Sequence, residues 1–278
     1  MTGLRQQHPL SALLKAAGLA ASTYYYQVKA AQVADKHGAL KAGIRALFEH
    51  HQGRYGYRRI TAALRQAGQH VNHKTVQKLM KALGLKSVVR PKKYRSYRGQ
   101  EGRVAPNLLA RRFDADRPNE KWVTDVTEFN VRGQKLYLSP VMDLYNGEIV
   151  AYQTSSRPVF PLVGFMLKKA LRRLKSTDRP ILHSDQGWQY QQPQYQRMLA
   201  ARSVTQSMSR KGNCLDNAAM ESFFGTLKAE FFHPNRFESV EQLQAGIRQY
   251  IRYYNHDRIK LKLKGLSPVQ YRAQALEL

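Results

Sequence analysis

Near residue 113 the hydrophobic pattern passes from purely helical spacing to strand-like alternation mixed with helices, and that change limits the folds open to the chain. Before it, apolar residues recur at helical spacing, as in Leu10, Leu13, Leu14 and Ala17, and again in Val76, Leu79, Met80 and Leu83. After it, strand-like alternation over Trp122–Phe129 and over Lys135–Met142 is followed by an Asn146-Gly147 hairpin signal and a third strand, Glu148–Gln153. A helix from Phe160 to Leu174, a short strand Ile181–Leu182, a helix Tyr195–Ala201, a strand Val204–Met208 and a long helix Leu215–Phe232 complete the pattern. Three strands, helix, strand, helix, strand, helix predict a mixed α/β domain with a five-stranded sheet and flanking helices, preceded by all-α units. A single cysteine, Cys214, excludes an internal disulfide and a cysteine-rich zinc cluster.

The helical part divides in two. Gly18 ends a first helix and Ser22 is placed to cap a second, giving a helix-turn-helix outline over residues 1–36. Residues 37–86 hold a second unit, with helices around Ile44–His50, from Arg58 to Ala67 before Gly68, and after Asn72. The third of these turns His73, Lys74, Gln77, Lys78 and Lys81 outward, which suits a recognition helix in a major groove or an ordinary lysine-rich surface helix. A last helix, Ser239–Tyr254, precedes a basic tail with Arg258, Lys260, Lys262 and Lys264, so residues 236–278 are read as a C-terminal helix and tail.

Charge separates the two halves more sharply still. The net charge is +27, of which +19 falls in residues 1–112 and +8 in the rest. Phosphates are the regularly spaced partners such an excess suits, so nucleic acid is the leading candidate, and the helical unit beside a basic linker tilts the expectation to double-stranded DNA. Residues 87–114 form a basic linker in which Tyr94 and Tyr97 interleave with Lys92, Lys93, Arg95 and Arg98, a pattern fit for phosphate contact and stacking. The apolar runs fall short of the roughly 18 residues that a membrane span needs, and no charged-then-apolar leader is evident, so a soluble intracellular chain is expected.

Within so basic a chain, three acids call for explanation. Asp125 lies in the first strand, Asp185 directly follows Ile181–Leu182, and Glu221 lies within the long helix. If the first and fourth strands are neighbours, their ends and this helix bring the three carboxylates together in the domain spanning residues 115–235. Two like charges about 4 Å apart repel by roughly 4 kcal/mol at an effective dielectric of about 20, so such a cluster protonates or recruits cations. All-oxygen ligation favours Mg²⁺ or Mn²⁺, and two such ions suit phosphodiester chemistry.

Thirty-five residues separate Asp185 from Glu221, and Lys228 lies seven beyond Glu221 on the same helix face. This D…D(35)E arrangement resembles the DDE transposases and retroviral integrases of the RNase H-like superfamily. WVTDVTEF, HSDQGWQY, SMSRKGNCLDNAAMESFFGTLKAE and YNHDRIKLKLKGLSPVQYR resemble the downstream-frame product of the IS3 insertion-sequence family, and RYGYRRITAAL resembles its second helix-turn-helix unit. The resemblance implies an RNase H-like catalytic core in which Asp125, Asp185 and Glu221 ligate metal and Lys228 contacts DNA near the scissile phosphate. It implies strand cleavage and strand transfer at the terminal inverted repeats and target DNA, in the bacterial cytoplasm. A homo-oligomer on DNA is expected, together with an upstream-frame helix-turn-helix and leucine-zipper partner or fusion. The competing expectations are a non-catalytic DNA-binding regulator and a nuclease that does not join strands.

The remaining polar residues have plainer roles open to them. Arg210 and Lys211, in a basic loop before the long helix, are candidate phosphate contacts. His183 either positions the site or is a hydrogen-bonded structural histidine. Asp143 reads as a turn residue and Asp216 as a helix cap, while Asn217, one turn before Glu221, is a candidate support for it.

Overall fold

The structure is a computed structural model and describes residues 4, 6–32, 35–88, 105–210 and 214–276. Ten α-helices and six strands are described: α1 Leu10–Ala16, α2 Ala21–Gln32, α3 Gly38–His50, α4 Tyr57–Gln66, α5 His73–Ala82, β1 Lys121–Thr124, β2 Thr127–Val131, β3 Gln134–Asp143, β4 Ile149–Ser155, α6 Phe160–Leu171, β5 Ile181–Ser184, α7 Pro193–Ala200, β6 Thr205–Met208, α8 Ala218–Leu227, α9 Val240–His256 and α10 Pro268–Leu276. Ser22 lies inside the first turn of α2 rather than capping it. In α5 the predicted periodicity buries Val76, Leu79 and Met80, with Leu83 partly buried, and these join Ile44, Ile60 and Leu64 of α3 and α4 in one cluster. The Asn72 side chain accepts from the Lys74 N–H and caps α5. His73, Lys74, Gln77, Lys78 and Lys81 are exposed.

The sheet has five ranks, and six strands only because the middle rank is broken. β3 pairs antiparallel with β2 over Gln134–Leu138 and with β1 over Val141–Asp143, so β1 and β2 lie end to end with Asp125 and Val126 at the break. β4 covers the other edge of β3, and β5 and β6 continue from β1 in parallel. The β3–β4 connection is the Asn146-Gly147 turn: Gly147 donates to the Asp143 carbonyl at 2.7 Å and holds φ at +68°, which favours glycine. Alternation along β1 sends Trp122 to one face, with Val163, Leu167 and Tyr195 of α6 and α7, and Val123 to the other, with Phe223, Leu243 and Ile247 of α8 and α9. The result is a mixed sheet between two helical layers, an RNase H-like core. Among the described residues no helix is long and apolar enough to cross a membrane.

Three expectations need correction. The long helix is three pieces: a 3₁₀ turn Cys214–Asn217, then α8, then a π-helical turn Lys228–Phe232. The end of the linker belongs to the core, because Leu109 is buried in it and the Leu108 N–H donates to Ser207 Oγ at 2.9 Å. The basic tail carries helix α10, and two of its four cations are tied inward. Arg258 makes a two-point pair with Glu230 (2.8 and 2.6 Å). Lys260 donates to the Gly147 carbonyl at 3.1 Å, and burial pushes its ammonium down to about 7. Lys262 and Lys264 remain exposed. Lys92, Lys93, Arg95, Arg98 and Lys211 lie outside the described residues.

Glu230 is a buried carboxylate on the π-helical turn. Burial alone would raise its pKa, but the guanidiniums of Arg258 and Arg59 and the Tyr250 hydroxyl hold it below the usual carboxylate range. A depressed folded-state pKa contributes stability above the unfolded value, lost as pH falls through the folded one. Removing one partner of such a buried pair typically costs about 3–5 kcal/mol. Urea unfolding of Arg258→Met is therefore expected to show a loss of that order at pH 7, shrinking as pH falls below about 4. A loss that is unchanged at pH 3 would contradict the role given to the ionised Glu230.

Candidate active site

Parallel pairing of β1 with β5 sets Trp122 against Leu182 and Val123 against His183. Asp125 and Asp185 each follow two residues later, so the two carboxylates leave neighbouring strands at the same level. Both residues are half-buried. The Val126 N–H donates to Asp125 Oδ1 at 2.7 Å. The Gly187 N–H donates to Asp185 Oδ1 at 2.9 Å, in a turn so close that a Cβ on Gly187 would meet that same oxygen at 2.9 Å.

Electrostatics at this pair is unfavourable to two negative charges. Burial pushes the Asp125 carboxyl well above its ordinary range, the Asp185 charge adds to this, and Glu221 adds again; the Val126 N–H and Lys228 act the other way. Burial likewise raises Asp185, against the Gly187 N–H. Buried phenols lie close by: Tyr190 and Tyr195 form a T-shaped pair with centroids 5.5 Å apart, and burial and then the Asp185 charge raise both. The sequence reading passed over these two tyrosines, although Tyr190 stands only five residues beyond Asp185.

Helix α8 supplies the third acid. Glu221 lies in its first turn, where the helix dipole favours negative charge. Asn217, at the start of α8, is buried and donates through Nδ2 to the Thr124 carbonyl at 3.2 Å, fixing the helix to the residue before Asp125. Lys228, two turns on, lies over the Phe129 ring at 5.2 Å, and its charge reaches Asp125. As placed, no three His, Cys, Asp or Glu side chains among the described residues converge tightly enough to encage an ion. Asp125 and Asp185 form the pair, and Glu221 stands within reach of Asp125 electrostatically. The pair itself fits a divalent cation: two oxygen donors whose mutual repulsion and burial a cation would relieve.

Other predicted residues fall elsewhere. His183 is buried between Ser207 Oγ (Nδ1, 2.8 Å) and Ser209 Oγ (Nε2, 3.1 Å), tying β5 to β6 and the residue just beyond it, and burial lowers its pKa. Asp216 is no helix cap. It is fully buried and holds Arg210 through Nε (3.0 Å) and Nη2 (3.1 Å), Arg111 through Nε (3.1 Å) and Asn107 through Nδ2 (2.9 Å). The Arg210 guanidinium, first among these, holds the Asp216 carboxyl far below the usual range. Arg210 thereby ties Asp216 at the entry to α8, and its side chain stays exposed to solvent. Asp143 is buried as expected of a turn residue, accepts from the Asn119 and Tyr145 N–H groups, and pairs with Arg272.

Three protein families match the chain: an integrase core domain over residues 115–214, a second integrase core domain over 221–276, and an HTH-like domain over 34–93. The chain is similar to the putative transposase InsK of insertion sequence element IS150 from Escherichia coli K12, 53% identical over 98% of this chain and 96% of that one. It is also similar to transposase InsF of insertion sequence IS3A from the same organism, 38% identical over 81% of this chain and 79% of that one. The HTLV-2 integrase catalytic core domain, solved in complex with magnesium, aligns with a TM-score of 0.43 at 15% identity, over 56% of this chain and 98% of that one.

If two buried carboxylates oppose one another, neutralising one relieves the metal-free protein and abolishes cation binding. Asp125→Asn in EDTA at pH 7 is expected to raise stability by about 1 kcal/mol, or roughly 2–4 °C in Tm. Mn²⁺ is expected to raise the Tm of the unaltered chain but not of Asp125→Asn, read by calorimetry. An equal Mn²⁺ response in both would contradict the pairing.

Proposed function

The chain belongs to the IS3/IS150 family of insertion-sequence transposases, which join an HTH-like unit to an integrase core, and from that membership we propose how its residues divide the work. The protein is a DDE-type transposase that cuts and joins DNA strands. Integrase cores of this kind generally depend on divalent metal. In this reading Asp125, Asp185 and Glu221 hold the metal, as two Mg²⁺ or Mn²⁺ ions. When bound, such ions activate the attacking oxygen and stabilise the leaving one.

The chain's own residues do the rest. Asp125 and Asp185, fixed by the Val126 and Gly187 N–H groups, present oxygens without needing to reorganise. Asn217 keeps α8 against β1, so that Glu221 completes the acidic set as DNA enters. Lys228 lies at the far end of α8, placed to meet a backbone phosphate beside the scissile one. Lys74, Lys78 and Lys81 on the exposed face of α5 hold the element's terminal repeat. The first reaction is hydrolysis of a phosphodiester, freeing a 3′ hydroxyl. The second is in-line attack of that hydroxyl on another phosphodiester, a transesterification needing no covalent bond to the protein. A homo-oligomer holding two ends, with or without an upstream-frame partner, is the assembly this chemistry calls for.

The observation that carries the reading is the level pairing of Asp125 with Asp185 at the ends of β1 and β5, with the Glu221 charge acting on the same site. Asp185→Ala is expected to lower Mg²⁺-dependent cleavage and joining of oligonucleotides bearing the element's ends by at least about 10³-fold, with end binding nearly unchanged. Cleavage by the mutant at the wild-type rate would sink the assignment. Nicks without strand-transfer products from the wild type would point instead to a nuclease.

A further inference from the structure

The α3–α5 unit is docked on the core by a built joint. Arg54 donates through Nε to the Glu230 carbonyl at 3.3 Å, and its guanidinium lies 4.7 Å from the Tyr253 ring centroid. Arg59 donates to the Glu230 carboxylate at 3.3 Å. Tyr55 is fully buried, donates to the Asp257 carbonyl at 3.1 Å and accepts from the Ile259 N–H at 2.8 Å, while Ile259 itself enters the α3–α5 core. Gln66 donates to the Gly265 carbonyl at 2.8 Å. The receiving residues lie on the π-helical turn, at the end of α9 and in the segment before α10. That π-helical turn opens with Lys228 and continues α8, the helix bearing Glu221.

A unit tied down by chain alone would swing on its linker, and its distance from the carboxylates would vary. This one is held by one buried and four partly buried hydrogen bonds around a shared apolar core. We propose that the joint makes end recognition and strand cleavage one rigid body. The spacing between the DNA segment held by α3–α5 and the phosphate at Asp125 and Asp185 then determines specificity, with Arg54, Tyr55, Arg59 and Gln66 as the positioning residues. The inference rests on the transposase reading above and adds to it a measuring function. Each base pair inserted into B-DNA moves the next phosphate by about 3.4 Å along the axis and turns it by about a tenth of a revolution. A displacement of about 1 Å can already cost about 10²-fold in rate, so a rigid joint cannot absorb even one inserted pair.

The test uses the full chain and duplexes carrying the element's end, with zero to five base pairs inserted between the internal end sequence and the terminal phosphodiester. The wild type is expected to lose about 100-fold in cleavage at the terminus on a two-base-pair insertion. Arg54→Met/Arg59→Met leaves Glu230 paired with Arg258 and Tyr250. That variant keeps the Tyr55 and Gln66 hydrogen bonds and the Ile259 contact but loses both ties to Glu230; it is expected to bind the end normally and to lose less than about 10-fold on the same insertion, because the loosened unit can follow the DNA. Ala62→Cys/Gly265→Cys provides the converse, since a Cβ on Gly265 would stand 3.6 Å from the Ala62 Cβ, within disulfide reach; Gly265 holds φ at +84°, so the strain of its side chain is common to both redox forms and only their difference is read. The oxidised form is expected to cleave the unaltered duplex at the reduced form's rate and to reject insertions equally. Two results would overturn the proposal: a wild type that tolerates insertions as well as the Met variant, or an oxidised form that loses cleavage and regains it on reduction. Efficient oxidation of the cysteine pair without cleavage of any duplex by the wild type would instead leave the joint standing and remove the transposase reading.

Discussion

Two carboxylates are forced to share a poorly solvated corner because β1 and β5 run parallel and in register. Val123 against His183 fixes the level, and Asp125 and Asp185 follow at equal offsets. Nothing in the local preferences of either strand end favours this; the hydrophobic faces of Trp122 and Val123, buried on opposite sides of the sheet, hold the strands there regardless. Strain of this kind persists only where the surroundings over-determine it. Here the break between β1 and β2, the tight Gly187 turn and the Asn217 tie to Thr124 each fix one part of the site.

The other buried acids show what the chain does when it intends neutrality. Asp216 holds Arg210 and Arg111, Glu230 holds Arg258 and Arg59, and Asp143 and Glu148 share Arg272. Each of these is a structural rivet: Asp216 at the entry to α8, Glu230 beyond its exit, Asp143 under the β3–β4 turn. Asp125 and Asp185 are held by backbone N–H groups instead, which orient a carboxylate without neutralising it. The site's charge is thus kept available for a cation and, through it, for phosphate.

How much of this was legible depended on sequence distance. The sheet could be read because alternation is local, and the acidic pair because strand ends carry register with them. The break at Asp125 was hidden, since Val126 and Thr127 continue the alternation. The Arg210–Asp216 pair was hidden because Asp216, six residues away, read as a cap. Arg258 looked like part of a tail because Glu230 lies 28 residues back and on another element. The docking of α3–α5 left no local trace at all, as Arg54 and Arg59 meet Glu230 across 176 and 171 residues. Pairing across such separations is decided by tertiary packing, which residue patterns within a window do not encode.

The central claim is that Asp125 and Asp185 share a divalent cation, with Glu221 joining them. Crystals of the chain bound to its DNA end in Mn²⁺ would test this directly through anomalous scattering. A peak within about 2.0–2.2 Å of both aspartate carboxylates, with Glu221 drawn to the same site, is the predicted result. Anomalous density elsewhere, with the two aspartates bare at saturating Mn²⁺, would contradict it.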